Sequence, residues 1–250
     1  GGRILLDRLG KVAPREKARA DLVTDADLAS QSAIAELLQG RFPQFEFFAE
    51  ESTAARRQEA RASGRPMWIV DPLDGTANYV HRLPGFSVSI ALVEGDRPRV
   101  GVVYDPLADT MYAAVEGSPS TKNGRPLRSS GCEELSRSMV CCSFRPGVHR
   151  DDPEVAQFLN ILESAQTVRR LGSAALNLCY LAEGCLDAYW ATSLKAWDVA
   201  AGYLIAGQAG VAFCDPAGQP FDLWQPRLVA AATVELQRQV LACLRNSASS

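Results

Sequence analysis

Apolar and polar positions change their spacing several times along the chain, and each change marks an element. Residues 4–12 carry apolar side chains at helical intervals. Basic Arg15, Lys17 and Arg19 follow, then Asp21-Leu22-Val23-Thr24-Asp25-Ala26-Asp27. Thr24 or Asp25 is the expected N-cap of a helix with the apolar stripe Leu28, Ile34, Leu37 and Leu38, stopped by Gly40 and Pro43. Residues 45–49 read as a short strand running into Glu50-Glu51-Ser52. The charged, alanine-rich residues 53–64 read as a surface helix or mobile loop.

A compact apolar run then ends in two acids: Trp68-Ile69-Val70-Asp71-Pro72-Leu73-Asp74-Gly75-Thr76. A run that short, bounded by Pro and Gly, is a buried strand rather than a helix. Asp71 falls at its carboxyl end, where open α/β sheets place their ligands. Asp74, Gly75 and Thr76 follow in the loop, and backbone N–H groups at such a turn suit an anion. Carboxylates beside an anion site make electrostatic sense when a cation lies between them.

Three strand-like runs come next, residues 87–93, 99–104 and 111–115, with turns such as Glu94-Gly95-Asp96 between them. This spacing predicts an antiparallel meander. Asn123-Gly124 is another turn signal. From Ser138 the pattern changes to strands at 140–144, 168–171, 186–190, 211–214 and 228–232, alternating with helices at 153–164, 173–182, 199–209 and 234–244. Such alternation implies a second, more nearly parallel sheet. The shift divides the chain into an amino-terminal α+β half, residues 1–135, and a carboxyl-terminal α/β half, residues 136–250.

Composition narrows the class without naming a chemistry. The 250 residues are 47% apolar and 22% charged, as in an ordinary globular protein. A net charge of −3 leaves no basic footprint for polymeric nucleic acid. The longest weakly polar stretch, residues 199–213, is shorter than the ~20 residues of a membrane span. No signal peptide is read before the first helix, and Gly1-Gly2-Arg3 reads as a trimmed start. The seven cysteines form no C-x-x-C pair and are expected to be small buried hydrophobes in a reducing cytoplasm. Cys141 and Cys142, adjacent on a strand, should point to opposite faces. A zinc site is disfavoured, because only His81 and His149 could assist and neither has ligand spacing.

A second acidic block reads Trp197-Asp198-Val199-Ala200-Ala201-Gly202. Together with Leu22-Val23-Thr24-x-x-Asp27, Ala49-Glu50-Glu51-Ser52, the Asp71 block and its continuation Asn78-Tyr79-Val80-His81, Gly101-Val102-Val103-Tyr104, Arg170-x-Gly172-Ser173-Ala174-Ala175 and Asp187-Ala188-Tyr189, it resembles the inositol monophosphatase family over nearly the whole chain. This is a group of magnesium-dependent, lithium-sensitive phosphatases. The resemblance implies a five-layer α-β-α-β-α sandwich of the inositol monophosphatase/fructose-1,6-bisphosphatase type, two or three Mg²⁺ per site, and a homodimer. It further implies that Glu50 and Asp71, with the Leu73 carbonyl, hold one Mg²⁺. Asp71, Asp74 and Asp198 would hold a second, and Glu50 would reach a third. Asp27 and Thr76 would orient and deprotonate the attacking water. Gly75 and Thr76 would bind phosphate through their N–H groups, beside Asp74 and Asp198. Gly172, Ser173 and Ala174 would line the alcohol side.

The residue types suit that chemistry on their own terms. Mg²⁺ is a hard cation that takes carboxylate, carbonyl and water oxygens. Four acids gathered without a cation would repel. Two ions roughly 4 Å apart clamp the attacking and leaving oxygens of an in-line displacement.

Other readings compete. Asp71 to Asp74 could be an acid-rich turn without chemistry. An EF-hand needs acids at alternate positions, and Leu73 occupies one of them. A haloacid-dehalogenase-type phosphatase needs Asp-x-Asp, whereas this spacing is Asp-x-x-Asp. Thr76 beside Asp27 could be a simple cap. Lys195 and His81 could meet substrate or serve only as surface and packing residues, and Trp68, Trp190 and Trp197 read as core. A non-catalytic scaffold on the same fold is the alternative of another class. One departure bears on the substrate. Inositol-specific relatives place a glutamate seven residues before the last metal-binding Asp, and Ala191 stands there. The lost acceptor would cost a hydroxyl-bearing ligand roughly 1–3 kcal/mol. Histidinol phosphate, fructose 1,6-bisphosphate and phosphoadenosine phosphate are therefore alternative substrates.

Overall fold

The computed structural model describes residues 1–11, 15–18, 21–145 and 147–245. In chain order, α1 (Gly2–Arg8), the hairpin β1 (Arg15–Ala18) and β2 (Asp21–Val23), and α2 (Asp25–Arg41) open the fold. β3 (Glu46–Ala49), α3 (Ala54–Ala62), β4 (Met67–Asp74) and the short α4 (Thr76–Val80) follow. The meander is β5 (Ser87–Glu94), β6 (Arg97–Asp105) and β7 (Thr110–Val115), extended by the two-residue β8 (Thr121–Lys122) and β9 (Arg125–Pro126). The second half runs β10 (Met139–Ser143), α5 (Pro153–Ser164), β11 (Thr167–Arg169), α6 (Ala174–Glu183), β12 (Ala188–Ala191), α7 (Ala196–Gln208), β13 (Ala212–Cys214), β14 (Leu228–Ala231) and α8 (Val234–Arg245).

These elements stack in five layers. α1 and α2 cover one face of a seven-stranded sheet of order β3-β4-β5-β6-β7-β8-β9, and α6 and α7 lie on its other face. A five-stranded sheet, β11-β10-β12-β14-β13, closes over α6, and α5 and α8 cover its outer side. The period-two side-chain alternation of each strand feeds two different cores. Trp68 and Val70 of β4 pack with Leu5 and Ile34 on the α1–α2 side. Met67 and Ile69 pack with Leu178 and Ala201 between the sheets. Cys141 likewise faces the inter-sheet core and Cys142 the outer one, on opposite faces as their adjacency requires.

Three expectations change. The first helix ends at Arg8, because Leu9 leaves the helical conformation and Gly10 takes φ +73°. Val12 lies outside the described residues. The β1–β2 hairpin carries no apolar alternation, so its pairing of Arg15 with Val23 left no periodic signal. The second sheet is mixed rather than nearly parallel. β10 runs parallel to β11 and β12, but β14 is antiparallel to both β12 and β13. The crossover β12-α7-β13 leaves a gap, and β14 returns without a helix to fill it. All seven cysteines are free; Cys141, Cys142, Cys179 and Cys214 are buried, Cys132 and Cys243 half-buried and Cys185 exposed. Among the described residues no helix is long and apolar enough to cross a membrane.

Candidate active site

β3 and β4 run parallel, so Glu50, just beyond Ala49, and Asp71 emerge at the same end of the sheet. The Asp-x-x-Asp spacing then acquires a structural meaning. Residues three apart on a regular strand point to opposite faces. Here Asp71 pairs with Ser89 and Asp74 with Ser87, so three steps on β4 oppose two on β5. This β-bulge adds the one residue that returns both carboxylates to the same side. Asp74 therefore closes the strand rather than lying in the loop. Leu73 N–H donates to Asp71 Oδ1 at 3.0 Å, and the Ser30 hydroxyl donates to the Pro72 carbonyl at 2.9 Å, fixing the bulge from within.

The second half reaches this corner through two helix starts. Ser173 Oγ and the N–H groups of Ala174 and Ala175, at the head of α6, all donate to the Asp74 carboxylate. Asp74 thus caps a helix from the other half, favourable against the positive end of its dipole. Asp198 sits in the first turn of α7 and accepts the Lys195 N–H at 2.7 Å. Gly172 takes φ +93°, and a Cβ there would stand 2.7 Å from the Asn78 side chain. Asn78 Nδ2 donates to the carbonyls of Gly85 and Leu171 at 2.8 and 2.7 Å, tying the loop after α4 to the approach of α6.

Asp27 is fully buried and forms a capping box with Thr24, whose N–H and Oγ1 donate to Asp27 Oδ2 at 2.8 and 2.6 Å. Its other oxygen faces the Thr76 hydroxyl at 3.5 Å, while that hydroxyl lies 3.0 Å from the Leu73 carbonyl. Thr76 Oγ1 stands between two acceptors, so Asp27 is both a cap and a neighbour of Thr76. Gly75, at φ +88°, makes the turn into α4, where a Cβ would lie 2.7 Å from the Gly85 carbonyl.

Glu50, Asp74, Thr76, Gly172, Ala174 and Asp198 line one cleft of about 580 Å³. Asp71 is 2% exposed and lies behind them, within reach of the charges of Glu50, Asp74 and Asp198. Burial, then these like charges, raises the Asp71 pKa well above the ordinary carboxylate value. Burial and the charge of Asp74 raise Asp198 in the same way. Burial lifts Asp74 to about 6, and the hydrogen bonds from Ser173, Ala175 and Ala174 hold it from rising further. Among the described residues, no three His, Cys, Asp or Glu side chains are drawn closely enough onto one point to hold an ion as they stand. Four mutually repelling carboxylates have no reason to close without a counter-charge. Their oxygens and the Leu73 carbonyl are hard donors, so the set fits a divalent cation such as Mg²⁺ in chemistry and in charge.

Several residues singled out from sequence lie elsewhere. Ser173 is 1% exposed and bonded to Asp74, so it does not line the cleft. His81 ends α4 at the surface. Lys195 lines a neighbouring cavity instead. Ala191 is buried in the inter-sheet core. Trp68 and Trp190 are core residues, while Trp197 is half-buried. The cleft also gains Ser143, Phe144 and Arg170. Arg170 follows β11, with its guanidinium 4.9 Å from the centre of the Phe144 ring, and it brings a cation to an acidic wall. Only its place in the block before Gly172 hinted at that position.

The sequence profile described as the inositol monophosphatase family matches residues 1–249. The chain belongs to this family. Inositol monophosphatase 2 of Solanum lycopersicum is 38% identical to this family member over 236 residues, covering 92% of the chain and 88% of the relative. The Nus factor SuhB of Pasteurella multocida is 38% identical over 232 residues, covering 91% and 85%. The crystal structure of the extragenic suppressor protein SuhB of Bartonella henselae superposes with a TM-score of 0.89 at 31% identity, covering 98% of this chain and 93% of that one.

Proposed function

We propose that this family member is a Mg²⁺-dependent phosphomonoesterase that hydrolyses a small sugar, inositol or related alcohol phosphate to the alcohol and inorganic phosphate. The observation that carries the reading is the convergence of four acids, from the end of β3, from β4 and from α7, on one corner beside the glycine turn into α4. Glu50, Asp71, Asp74, Asp198 and the Leu73 carbonyl are the groups that would hold the ions. Bound Mg²⁺ supplies an acidified water and positive charge against the phosphoryl oxygens. The chain's own residues do the rest. Thr76 Oγ1 and Asp27 Oδ1 accept and orient the proton of the attacking water. The N–H groups of Gly75 and Thr76 hold phosphate oxygens. Arg170 adds positive charge on the open side, with Gly172 and Ala174 beside the alcohol. No covalent intermediate is needed. Release of inorganic phosphate from a substrate panel, dependent on Mg²⁺ and lost in Asp71→Asn, tests the reading; no release from any phosphomonoester sinks it.

The substrate reading is narrower. Ala191, apolar and buried, supplies no acceptor for a ring hydroxyl, so selectivity for inositol is not expected. No kcat/KM preference for inositol 1-phosphate over histidinol phosphate, fructose 1,6-bisphosphate or phosphoadenosine phosphate is the expected result, and a clear inositol preference overturns it. Inhibition by Li⁺, a homodimer and a cytoplasmic location accompany the family resemblance. A second reading, a protein-binding role without turnover, is favoured by one observation, the relative named as a Nus factor. The intact set of four acids argues against it, because a retired enzyme has no reason to keep them all.

A further inference from the structure

A second cavity, of about 790 Å³, adjoins the acidic cleft and shares Ser193 and Leu194 with it. Its charge is opposite. Arg57, Arg61, Lys195 and Arg227 line it, and no Asp or Glu is among its described lining residues. In a chain of net charge −3, four cations in one concavity are a local inversion of sign. The walls are aromatic. The Arg61 guanidinium lies 4.4 Å from the Trp224 ring centre and that of Arg57 5.1 Å from the Trp197 ring centre, with Phe48 packed edge-on against Trp224. Arg57 is already committed, donating to the carbonyls of Glu50 and Ser52. Arg61 and Arg227 are exposed.

We infer that this cavity is a subsite for a second anionic group of the substrate, a phosphate carried some atoms away from the ester that is cleaved. The inference rests on the phosphatase reading above and deepens it. An acidic cleft needs bound cations before it can accept a phosphoryl group, whereas the neighbouring cavity carries fixed cations and attracts an anion by itself. The planar guanidinium groups of Arg61 and Arg227 match phosphate oxygens in a bidentate fork. Trp224 and Trp197 present an apolar wall to the body that joins the two anionic groups. Substrates with one phosphate would leave the cavity to solvent.

Calorimetric titration of the whole chain in EDTA, with fructose 1,6-bisphosphate and with unphosphorylated fructose, isolates the basic cavity, because the acidic one repels phosphate without metal. The bisphosphate is expected to bind about tenfold more tightly. Arg61→Ala combined with Arg227→Ala should abolish that advantage, leaving the melting temperature unchanged. With Mg²⁺, when the cleft takes the scissile phosphate, the same variant should lose about tenfold in kcat/KM for fructose 1,6-bisphosphate, mostly in KM, and nothing for fructose 1-phosphate. Equal binding of the two ligands, or an advantage that survives the double substitution, overturns the inference. Phosphate released equally well from fructose 1,6-bisphosphate and fructose 1-phosphate and unaffected by the variant rejects the subsite and keeps the phosphatase. Binding that depends on Arg61 and Arg227 without any phosphate release keeps the anion site and rejects the phosphatase.

Discussion

The acidic cleft and the basic cavity share Ser193 and Leu194 yet are built in opposite ways. The cleft gathers acids from both halves and holds them by backbone devices: a bulge, a capped helix and a left-handed glycine turn. Its like charges are forced together, and burial raises the pKa of Asp71, Asp74 and Asp198. The cavity gathers four long cationic side chains; Arg57 and Arg61 lie over tryptophan rings, and Arg61 and Arg227 are exposed. Strain and repulsion concentrate where chemistry is proposed, and relaxed, solvated charge where only recognition is proposed. A net charge of −3 conceals both.

The contrast can be broken most severely at Asp71. Asp71→Asn is expected to lower phosphate release by at least about 10³-fold while leaving anion binding in EDTA intact. A variant retaining most of its turnover would place the chemistry elsewhere. Next in size is the response to metal. At Mg²⁺ about one hundredfold above its Kd, folding should gain about 2.7 kcal/mol, read as a higher melting temperature in calorimetry. The effect should vanish in Asp71→Asn and persist in the Arg61→Ala/Arg227→Ala variant.

A pH series sharpens the electrostatic half of the comparison. Asp74 is raised from 3.8 to about 6, so the folded state binds its proton more tightly than the unfolded state. Its contribution is therefore present below about pH 4 and lost as pH rises toward 6. Metal-free protein should lose stability across that window, and Mg²⁺ should flatten the loss. Melting curves that rise from pH 4 to 6 in EDTA would contradict it. The smallest effect is expected at Gly172. Gly172→Ala must accommodate φ +93° and a methyl group 2.7 Å from Asn78, at a cost of about 1–3 kcal/mol in denaturant unfolding.

Much of the fold was legible because its signals are local. Pro153–Ser164 follows from a proline at the helix start and apolar periodicity, and the β5–β7 meander from alternation broken by turns such as Gly95. The β1–β2 hairpin was not legible, since charged strands carry no periodic mark. The candidate site divides the same way. Glu50, Asp71, Asp74 and Asp198 stand out as acids at the ends of apolar runs. The occupation of Ser173 by Asp74 does not, because the partners lie 99 residues apart.

The order of residues determined by itself the layered alternation, the positions of the acids and the glycine turns, since each depends on side-chain period or backbone freedom within a few neighbours. Tertiary structure alone decided that a bulge turns Asp71 and Asp74 to one side, that α6 is capped from the opposite half, and that Arg61 and Arg227 meet in one cavity. Those outcomes depend on strand register and helix packing, which bring distant segments together and which no local pattern encodes.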